Sequence, residues 1–202
     1  MTKCTCGHER HDHGYHGPQG SVRLLAETSA GIEPLLQTHF VRRTLIMPAT
    51  PITLFRGTFL SNFWPAIVSY GAGTYPSVEN AYVAAKIGAV PPPEGKAPST
   101  PLEQAAVELL TCKPGNAKRI GKRFPMVAGW DGFKLDVMRT LVTQKFAKEP
   151  LRSMLLITGD EELVENNSWN DTWWGVCRGV GENNLGKLLM TLRSGLRQDV
   201  PK

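Results

Sequence analysis

The chain passes from extended structure into its first predicted helix within the segment GTYPSVENAYVAAK, residues 73–86. The proline and serine at positions 76 and 77 form a typical helix start, in which the Ser77 hydroxyl accepts a hydrogen bond from the first turn. The segment therefore predicts a helix over residues 76–86 with Ser77 as its N-cap. Small residues such as Ala81 and Ala84 follow one side of this helix, so neighbouring elements can approach it closely.

Two oppositely charged side chains share a face of this helix. Glu79 and Lys86 are seven residues apart, so they lie within about 20° of each other around the axis and about 10 Å apart along it. Because helical side chains lean toward the N-terminus, Lys86 points back toward Glu79, and the two can flank a group about the size of a sugar. The alternative is that each charge merely complements the helix dipole. Spacing alone does not separate these interpretations.

The flanking segments predict an α+β fold in which helices dominate and the strands are few and short. Residues 52–76 contain β-branched and aromatic residues interrupted by glycine and proline, which indicates strands and turns. Helices are predicted from Leu102, after residues 129–133, from Pro150 to Gly159, and across the leucine-faced segment 185–196. The proline-rich residues 89–101 are predicted to form a surface loop, and residues 113–124 (KPGNAKRIGKRF) a break followed by a basic turn.

Composition indicates one globular domain with an N-terminal extension. The 202 residues are 41% hydrophobic and 20% charged, which is typical of a chain that buries a core. We predict the domain over residues 51–198 and the extension over residues 1–50. The net charge of +5 permits contact with phosphates, but the basic residues are dispersed, so any nucleic-acid contact is expected to be local.

The beginning of the extension is rich in cysteine and histidine. Cys4, Cys6, His8 and His11 are all potential zinc ligands, but their spacing matches no standard zinc finger. The segment is therefore either a weak zinc site or a polar, partly disordered terminus, and no metal is expected in the domain itself. The chain shows neither the apolar core of a signal peptide nor an apolar run of about 18 residues, so we expect a cytoplasmic location and no membrane partner.

A second group of unusual residues lies in NDTWWGVCRGVGENNLG, residues 170–186. Asp171 precedes Trp173 and Trp174, which would face opposite ways on a strand, so that one of them can be a stacking platform while the other packs in the core. Packing of both is the alternative.

The same segment contains a glycine-rich loop before the last helix. Gly179 and Gly181 permit close approach of the backbone to a ligand, and a helix start is a suitable site for phosphate. In the alternative interpretation, Asn183 or Asn184 is simply the N-cap of that helix.

Taken together, FRGTFLSNFWP, YPSVENAYVAAK and the segment from KFAKEP to LLMTLR resemble the YbiA-like, or NADAR, family from about Ile52 to Leu196. The family pattern S-x-E-[HN] matches Ser77, Glu79 and Asn80. The resemblance implies a YbiA-like fold and N-glycosidase chemistry on ribosylated amines. One branch of the family acts on phosphoribosylamino-pyrimidine intermediates of riboflavin biosynthesis, and another removes ADP-ribose from guanine in nucleic acid.

The resemblance implies roles for the residues singled out above. Glu79, Lys86 and Asp171 are the predicted catalytic residues, with Lys86 either forming a Schiff base at C1′ or only positioning phosphate. The remaining predicted substrate contacts are Arg56, Asn62, Phe63, Trp130, Trp173, Trp174, Gly179, Gly181 and Asn183.

Three functions remain open at this point. Removal of ADP-ribose from guanine in nucleic acid is the first, cleavage of riboflavin intermediates is the second, and non-catalytic binding of ADP-ribose or NAD is the third. The paired acid and amine favour an enzyme, because binding alone does not require them. We expect no cofactor, and ADP-ribosylated nucleic acid or a ribosylamine metabolite as the partner. The sequence leaves the oligomeric state open.

Overall fold

The computed structural model describes residues 50–53 and 55–198. The predicted zinc ligands and most of the N-terminal extension therefore lie outside the described residues. Within the described part the fold is α+β and dominated by helices, as predicted. No helix in residues 50–53 or 55–198 combines the length and the apolar character that crossing a bilayer requires.

Six helices and two small sheets make up the described chain. The first sheet pairs β1 (Pro65–Tyr70) with β2 (Gly73–Ser77) in antiparallel fashion, and the second pairs β3 (Asn166–Asn167) with β4 (Val176–Cys177) in parallel. The helices are α1 (Val78–Ile87), α2 (Pro101–Leu109), α3 (Pro114–Gly121), α4 (Trp130–Phe146), α5 (Leu151–Ile157) and α6 (Asn184–Gln198).

Helix α1 is the centre of the core and follows β2 directly. Its N-cap is Ser77, whose side chain accepts a hydrogen bond from the backbone N–H of Asn80, as predicted. Ala81 and Ala84 are fully buried, so α3, α4 and the β1–β2 hairpin pack closely around the helix. The buried Asn80 side chain donates to the carbonyls of Leu109 at 3.0 Å and Cys112 at 2.8 Å, which ties α1 to the end of α2.

Residues 113–124 differ from the prediction, because most of them form helix α3 rather than a turn. Pro114 occupies the first turn, where its missing N–H costs nothing. The buried Ala117 and Ile120 hold this helix in the core. A Cβ at Gly121 would lie 2.9 Å from a Val83 methyl carbon, so this glycine permits the close approach of α3 to α1. Tertiary packing thus overrides the weak helix propensity of two glycines.

Trp173 and Trp174 also differ from the prediction, because they lie in a turn before β4 rather than on a strand. Their rings are perpendicular, with centroids 4.5 Å apart. The two short strands that do pair in this region, β3 and β4, come before and after these tryptophans in the sequence. Hydrogen bonds that involve the side chains of Asn167, Asp171 and Asn184 hold this region together with backbone bonds, and no period of two along the sequence reveals them.

Lys145 lies on α4 and is almost completely buried, with 1% of its surface exposed. Its Nζ donates to the Ser61 carbonyl at 2.7 Å. Burial lowers the pKa of Lys145 to about 7. The next carbonyl along the chain, that of Asn62, accepts a hydrogen bond from the backbone N–H of Glu79 at 3.1 Å. Lys145 therefore helps to hold the turn against which the start of α1 rests.

Candidate active site

Glu79 is the centre of a group of charged side chains that come from three parts of the chain. Burial raises the pKa of the Glu79 carboxyl to about 7, against the lowering effect of the positive charges of Lys118 and Lys86. The carboxylate of Asp171 acts in the same direction as burial. The structure therefore brings together the three predicted catalytic residues, and a carboxyl with a pKa near 7 can both donate and accept a proton at neutral pH.

Lys118 is a member of this group that the sequence did not reveal. It lies on α3, and its charge lowers the pKa of Glu79 more than that of Lys86 does. It belongs to residues 113–124, which the sequence predicted to be a break and a basic turn. Recognition of a helix there would have placed Lys118 one position from the buried Ala117, but no sequence signal points from α3 toward Glu79.

Glu165 is a second residue that the sequence did not single out. Burial, together with the carboxylates of Asp171 and Glu79, raises the pKa of its carboxyl to about 7. Its Oε2 atom is buried and has no hydrogen-bond partner among the described residues. A buried, unpaired carboxyl oxygen beside two other carboxyl groups is unusual in a core and typical of a reactive site. In the sequence, Glu165 simply follows the apolar residues Leu163 and Val164, and no motif around it indicates a functional role.

The backbone of Glu165 is held tightly from both sides. Its N–H donates to the Asn183 side chain at 3.0 Å, and its carbonyl accepts from the Val176 N–H at 2.8 Å. The other end of the Asn183 side chain donates to the Leu163 carbonyl at 2.8 Å. A Cβ at Gly175 would lie 2.2 Å from the Glu165 carbonyl oxygen. Position 175 therefore has no room for any side chain, and Asn183 has a structural role besides its predicted contact with substrate.

Asp171 is positioned by the buried Asn167. The Asn167 side chain accepts from the Asp171 N–H at 3.1 Å and donates to the Asp171 carbonyl at 2.8 Å. These two bonds close a five-residue loop over residues 167–171, with Asn170 in a left-handed conformation (φ 65°). One Asp171 carboxylate oxygen accepts from the Trp174 N–H at 2.9 Å. The loop thus fixes both the backbone and the carboxylate of Asp171.

Aromatic rings form one side of the site. Tyr82 packs edge-to-face against Trp174 at 5.6 Å and against Trp130 at 5.1 Å between ring centroids. Burial raises the pKa of Tyr82, and the carboxylates of Glu79 and Asp171 add to the effect. Trp130 is buried and belongs to the core, whereas Trp173 and Trp174 are half-buried. The Lys134 ammonium lies 3.9 Å from the Trp173 ring centroid.

The start of α6, where the sequence predicts an anion site, is largely occupied by the protein itself. The backbone N–H groups of Asn183, Asn184 and Leu185 donate to the carbonyls of residues 175, 173 and 174. Gly179 has a φ of 81° and lies in a tight turn between Cys177 and Val180. At Gly181 a Cβ would lie 2.1 Å from the carbonyl oxygen of residue 175. These backbone contacts account for Gly179 and Gly181 without any bound ligand. Phosphate binding by this loop stays a prediction.

The three predicted substrate contacts before β1 differ in how far they are buried. The Asn62 backbone carbonyl lies at the start of α1, its side-chain Nδ2 donates to the Met138 sulfur at 3.5 Å, and its Oδ1 is buried without a hydrogen-bond partner among the described residues. Phe63 is 41% exposed. Arg56 is exposed and makes no hydrogen bond or ion pair with another residue of the described ranges. Of these three, Asn62 is the residue with a buried acceptor that has no partner among the described residues.

Two cavities within the described residues are lined by none of the side chains of the charged group. One of about 350 Å³ is lined by apolar and small residues, among them Ala85, Val127 and Phe133. Another of about 430 Å³ lies between α2 and α3 and is lined by Glu108, Arg119 and other polar residues. No three His, Cys, Asp or Glu side chains within the described ranges are arranged so as to hold a metal ion.

Comparison with known proteins places this arrangement in a family. A family model of the NADAR domain matches residues 54–197. The chain is 36% identical to an N-glycosidase of Nostoc punctiforme over 143 residues, which cover 68% of this chain and 84% of that protein. It is 32% identical to a riboflavin biosynthesis protein of Vibrio vulnificus over 148 residues, or 71% of this chain. The matched region spans only 36% of the length of the Vibrio vulnificus protein.

A solved structure agrees with this assignment. The solution structure of the Escherichia coli protein YbiA superposes with a TM-score of 0.60 at 28% sequence identity and covers 80% of this chain and 95% of that one. The fold is thus that of a NADAR domain. The chain belongs to the NADAR family, as its sequence motifs predicted.

Proposed function

We propose that this chain is an N-glycosidase that hydrolyses the bond between C1′ of a ribose and an amine, and that its substrate is ADP-ribosylated guanine in nucleic acid. The observation that supports the reaction is the enclosed Glu79 carboxyl, with its pKa of about 7, beside the amines of Lys86 and Lys118. A proton carrier next to an amine is what cleavage of a ribosylamine requires.

The reaction begins with opening of the ribosylamine. The ring oxygen takes a proton from Glu79, and the C1′–N bond becomes an iminium. The free-base form of Lys86 then adds to C1′, the original amine takes a proton and leaves, and an imine between Lys86 and C1′ remains. Water adds to this imine, Lys86 is released, and the ribose aldehyde closes to its ring. In sum, one water is consumed and one amine is released. In the alternative, Glu79 activates water for direct displacement at C1′, and Lys86 holds phosphate.

The remaining groups bind the sugar and the leaving base. Asp171 and the unpaired Oδ1 of Asn62 accept hydrogen bonds from ribose hydroxyls. Glu165 is a second proton carrier, because its pKa is also about 7 and it is coupled by charge to Glu79. Trp174 stacks on the leaving base, with Trp173 beside it.

The decisive experiment compares wild type and Glu79→Ala on an oligonucleotide that carries ADP-ribosylated guanine, with release of ADP-ribose as the readout. Release by wild type alone supports both the reaction and the central role of Glu79. Release by both proteins contradicts the role of Glu79, and release by neither contradicts the substrate. Circular dichroism of the variant shows whether it is folded.

The second candidate is cleavage of phosphoribosylamino-pyrimidine intermediates of riboflavin biosynthesis. The name of the Vibrio vulnificus relative favours it. The same two proteins, assayed on a phosphoribosylaminouracil, distinguish the candidates. Binding of ADP-ribose without turnover of either substrate would instead indicate a binding module.

A further inference from the structure

We propose that Trp169 and the cations of α3 form a binding surface for single-stranded nucleic acid, in which a base next to the modified guanine stacks on Trp169 and the backbone phosphates lie along α3. This inference rests on the proposed function for its biological setting. The exposure, charge and rigidity of these residues define the surface.

Trp169 is exposed although it lies beside the charged group of the site. Its side chain is 49% exposed, whereas Trp130, Trp173 and Trp174 are buried or half-buried. It lies within the loop of residues 167–171, which the two hydrogen bonds between Asn167 and Asp171 close. The loop therefore presents an indole ring to solvent on a fixed support, and the carboxylate of Asp171, two residues later, acts on Glu79.

Lys118 connects this ring to the site. Its Nζ lies 5.6 Å from the Trp169 ring centroid, and its charge lowers the pKa of both Glu79 and Glu165. A ligand that stacks on Trp169 therefore lies within reach of the group that carries out the proposed chemistry. A tryptophan beside an ammonium group is a suitable platform for a base and its phosphate.

Helix α3 continues the positive charge away from Trp169. Residues 113–123 contain five exposed basic residues and no acidic one, namely Lys113, Lys118, Arg119, Lys122 and Arg123. Of these, Arg123 pairs with Glu108 at 3.0 Å, and the guanidinium of Arg119 donates to Asn116. The others make no ion pair with a described residue. Such a row of cations complements a phosphate backbone.

The combination favours a single strand over a duplex. A base can stack on Trp169 only if its own neighbours do not cover its face, as in a single strand or an unpaired segment. A duplex would contact the cations but not the ring. The surface thus selects for unpaired nucleic acid around the modified base.

Binding to unmodified oligonucleotides tests this surface without any reaction. Fluorescence anisotropy measures the affinity of the wild-type chain for labelled 12-nucleotide single strands of DNA and RNA, and for the DNA duplex. We expect the single strands to bind more tightly than the duplex. We expect Trp169→Ala to weaken single-strand binding about tenfold and Trp169→Phe to retain most of it, because a phenyl ring still stacks. Ile157→Ala, a change of another exposed apolar residue on α5, is the control.

Charge reversal tests the phosphate contacts. The double variant Arg119→Glu/Lys122→Glu should weaken binding more than tenfold and reduce the slope of log affinity against log salt by about 1.4, or about 0.7 for each lost contact. Arg139→Glu/Lys148→Glu changes the net charge equally, on α4 and just after it, and should leave binding unchanged. Arg139 is a matched control, because it too bonds a side chain three residues earlier.

The outcomes separate this surface from the proposed reaction. Hydrolysis of the ADP-ribosylated oligonucleotide with unchanged KM in all the α3 and Trp169 variants would overturn the surface and leave the reaction in place. If the Trp169 and α3 variants weaken oligonucleotide binding but the wild-type chain does not hydrolyse the ADP-ribosylated oligonucleotide, the surface is supported and the proposed substrate is contradicted. Equal affinity for duplex and single strand, unaffected by Trp169→Ala, would also overturn the proposal. The affinities for DNA and RNA show which of the two is preferred.

Discussion

The charge of Lys118, on α3, lowers the pKa of Glu79 more strongly than does that of Lys86, which lies on the same helix as Glu79. Of the charges that act on the central carboxyl of the site, the strongest therefore belongs to a residue that is 39 positions away in sequence. The packing of α3 against α1, which the glycine at position 121 permits, makes this relationship possible.

The first prediction concerns this pair. Lys118→Met removes a positive charge near Glu79, so the carboxylate form becomes less favourable and the pKa of Glu79 rises above about 7. We expect the corresponding inflection in the pH–rate profile to move to higher pH. The profile of kcat/KM between pH 5 and 9 measures the shift. Lys96→Met removes an equal charge from the exposed proline-rich loop, and an equal shift there would contradict the specific role of Lys118.

The second prediction concerns the role of Lys86. If Lys86 forms an imine with C1′, borohydride added during turnover reduces that imine to a stable adduct, and mass spectrometry detects it on Lys86. Lys86→Arg keeps the charge but removes the nucleophile, so we expect hydrolysis to fall at least 100-fold and the adduct to disappear. Substantial activity of Lys86→Arg, with no adduct in wild type, would instead support direct displacement by water.

The third prediction concerns Glu165. Glu165→Gln keeps the shape of the side chain but cannot carry a proton, so we expect kcat to fall about 100-fold. The pH–rate profile should also lose one of the ionisations near pH 7, because the pKa of Glu165 is about 7. Glu162→Gln, a change of an exposed residue three positions earlier, is the control and should behave as wild type. An unchanged profile in Glu165→Gln would exclude Glu165 from proton transfer.

The fourth prediction concerns the glycine behind Glu165. In Gly175→Ala the added methyl would lie 2.2 Å from the Glu165 carbonyl oxygen, which is backbone and cannot move freely. We expect a loss of about 1–3 kcal/mol in the free energy of unfolding, with reduced activity as β3 and β4 separate. Chemical denaturation measures the loss. Gly195 is the control, because it lies in α6 with open space where a Cβ would be added. Gly195→Ala should therefore stabilise the protein slightly.

The fifth prediction concerns the buried Lys145, whose pKa is lowered from 10.5 to about 7 by burial. Between these pH values the unfolded chain binds a proton that the folded protein does not. The free energy of unfolding should therefore rise with pH in this window, by up to about 1.4 kcal/mol per pH unit. Denaturation at several pH values from 7 to 10 measures this slope.

Lys145→Met should reduce that slope, because a methionine has no proton to bind. It also leaves the Ser61 carbonyl without its donor, so some loss of stability at high pH is expected. Lys148→Met, on the exposed side of the same segment, should keep the wild-type slope. Equal slopes in wild type and Lys145→Met would show that Lys145 does not titrate in this range.

Local sequence signals were sufficient for much of the fold. The Ser77 cap, the leucine face of α6 and the proline-rich loop each depend on a few neighbouring residues, so they are visible in the chain itself. Helix α3 and the turn of Trp173 and Trp174 were predicted wrongly. In both places contacts with distant residues, rather than local propensity, determine the backbone.

The sequence by itself determined the family, the α+β class, and the face of α1 that carries Glu79 and Lys86, because helical periodicity relates residues seven positions apart. Only the tertiary structure decided that Lys118 and Glu165 join them, and that Trp169 stands exposed beside them. These residues come from α3 and from the segment around β3, and no local rule connects either segment to α1. The pKa of Glu79 is likewise a tertiary property, because burial and the charges of distant residues together set it.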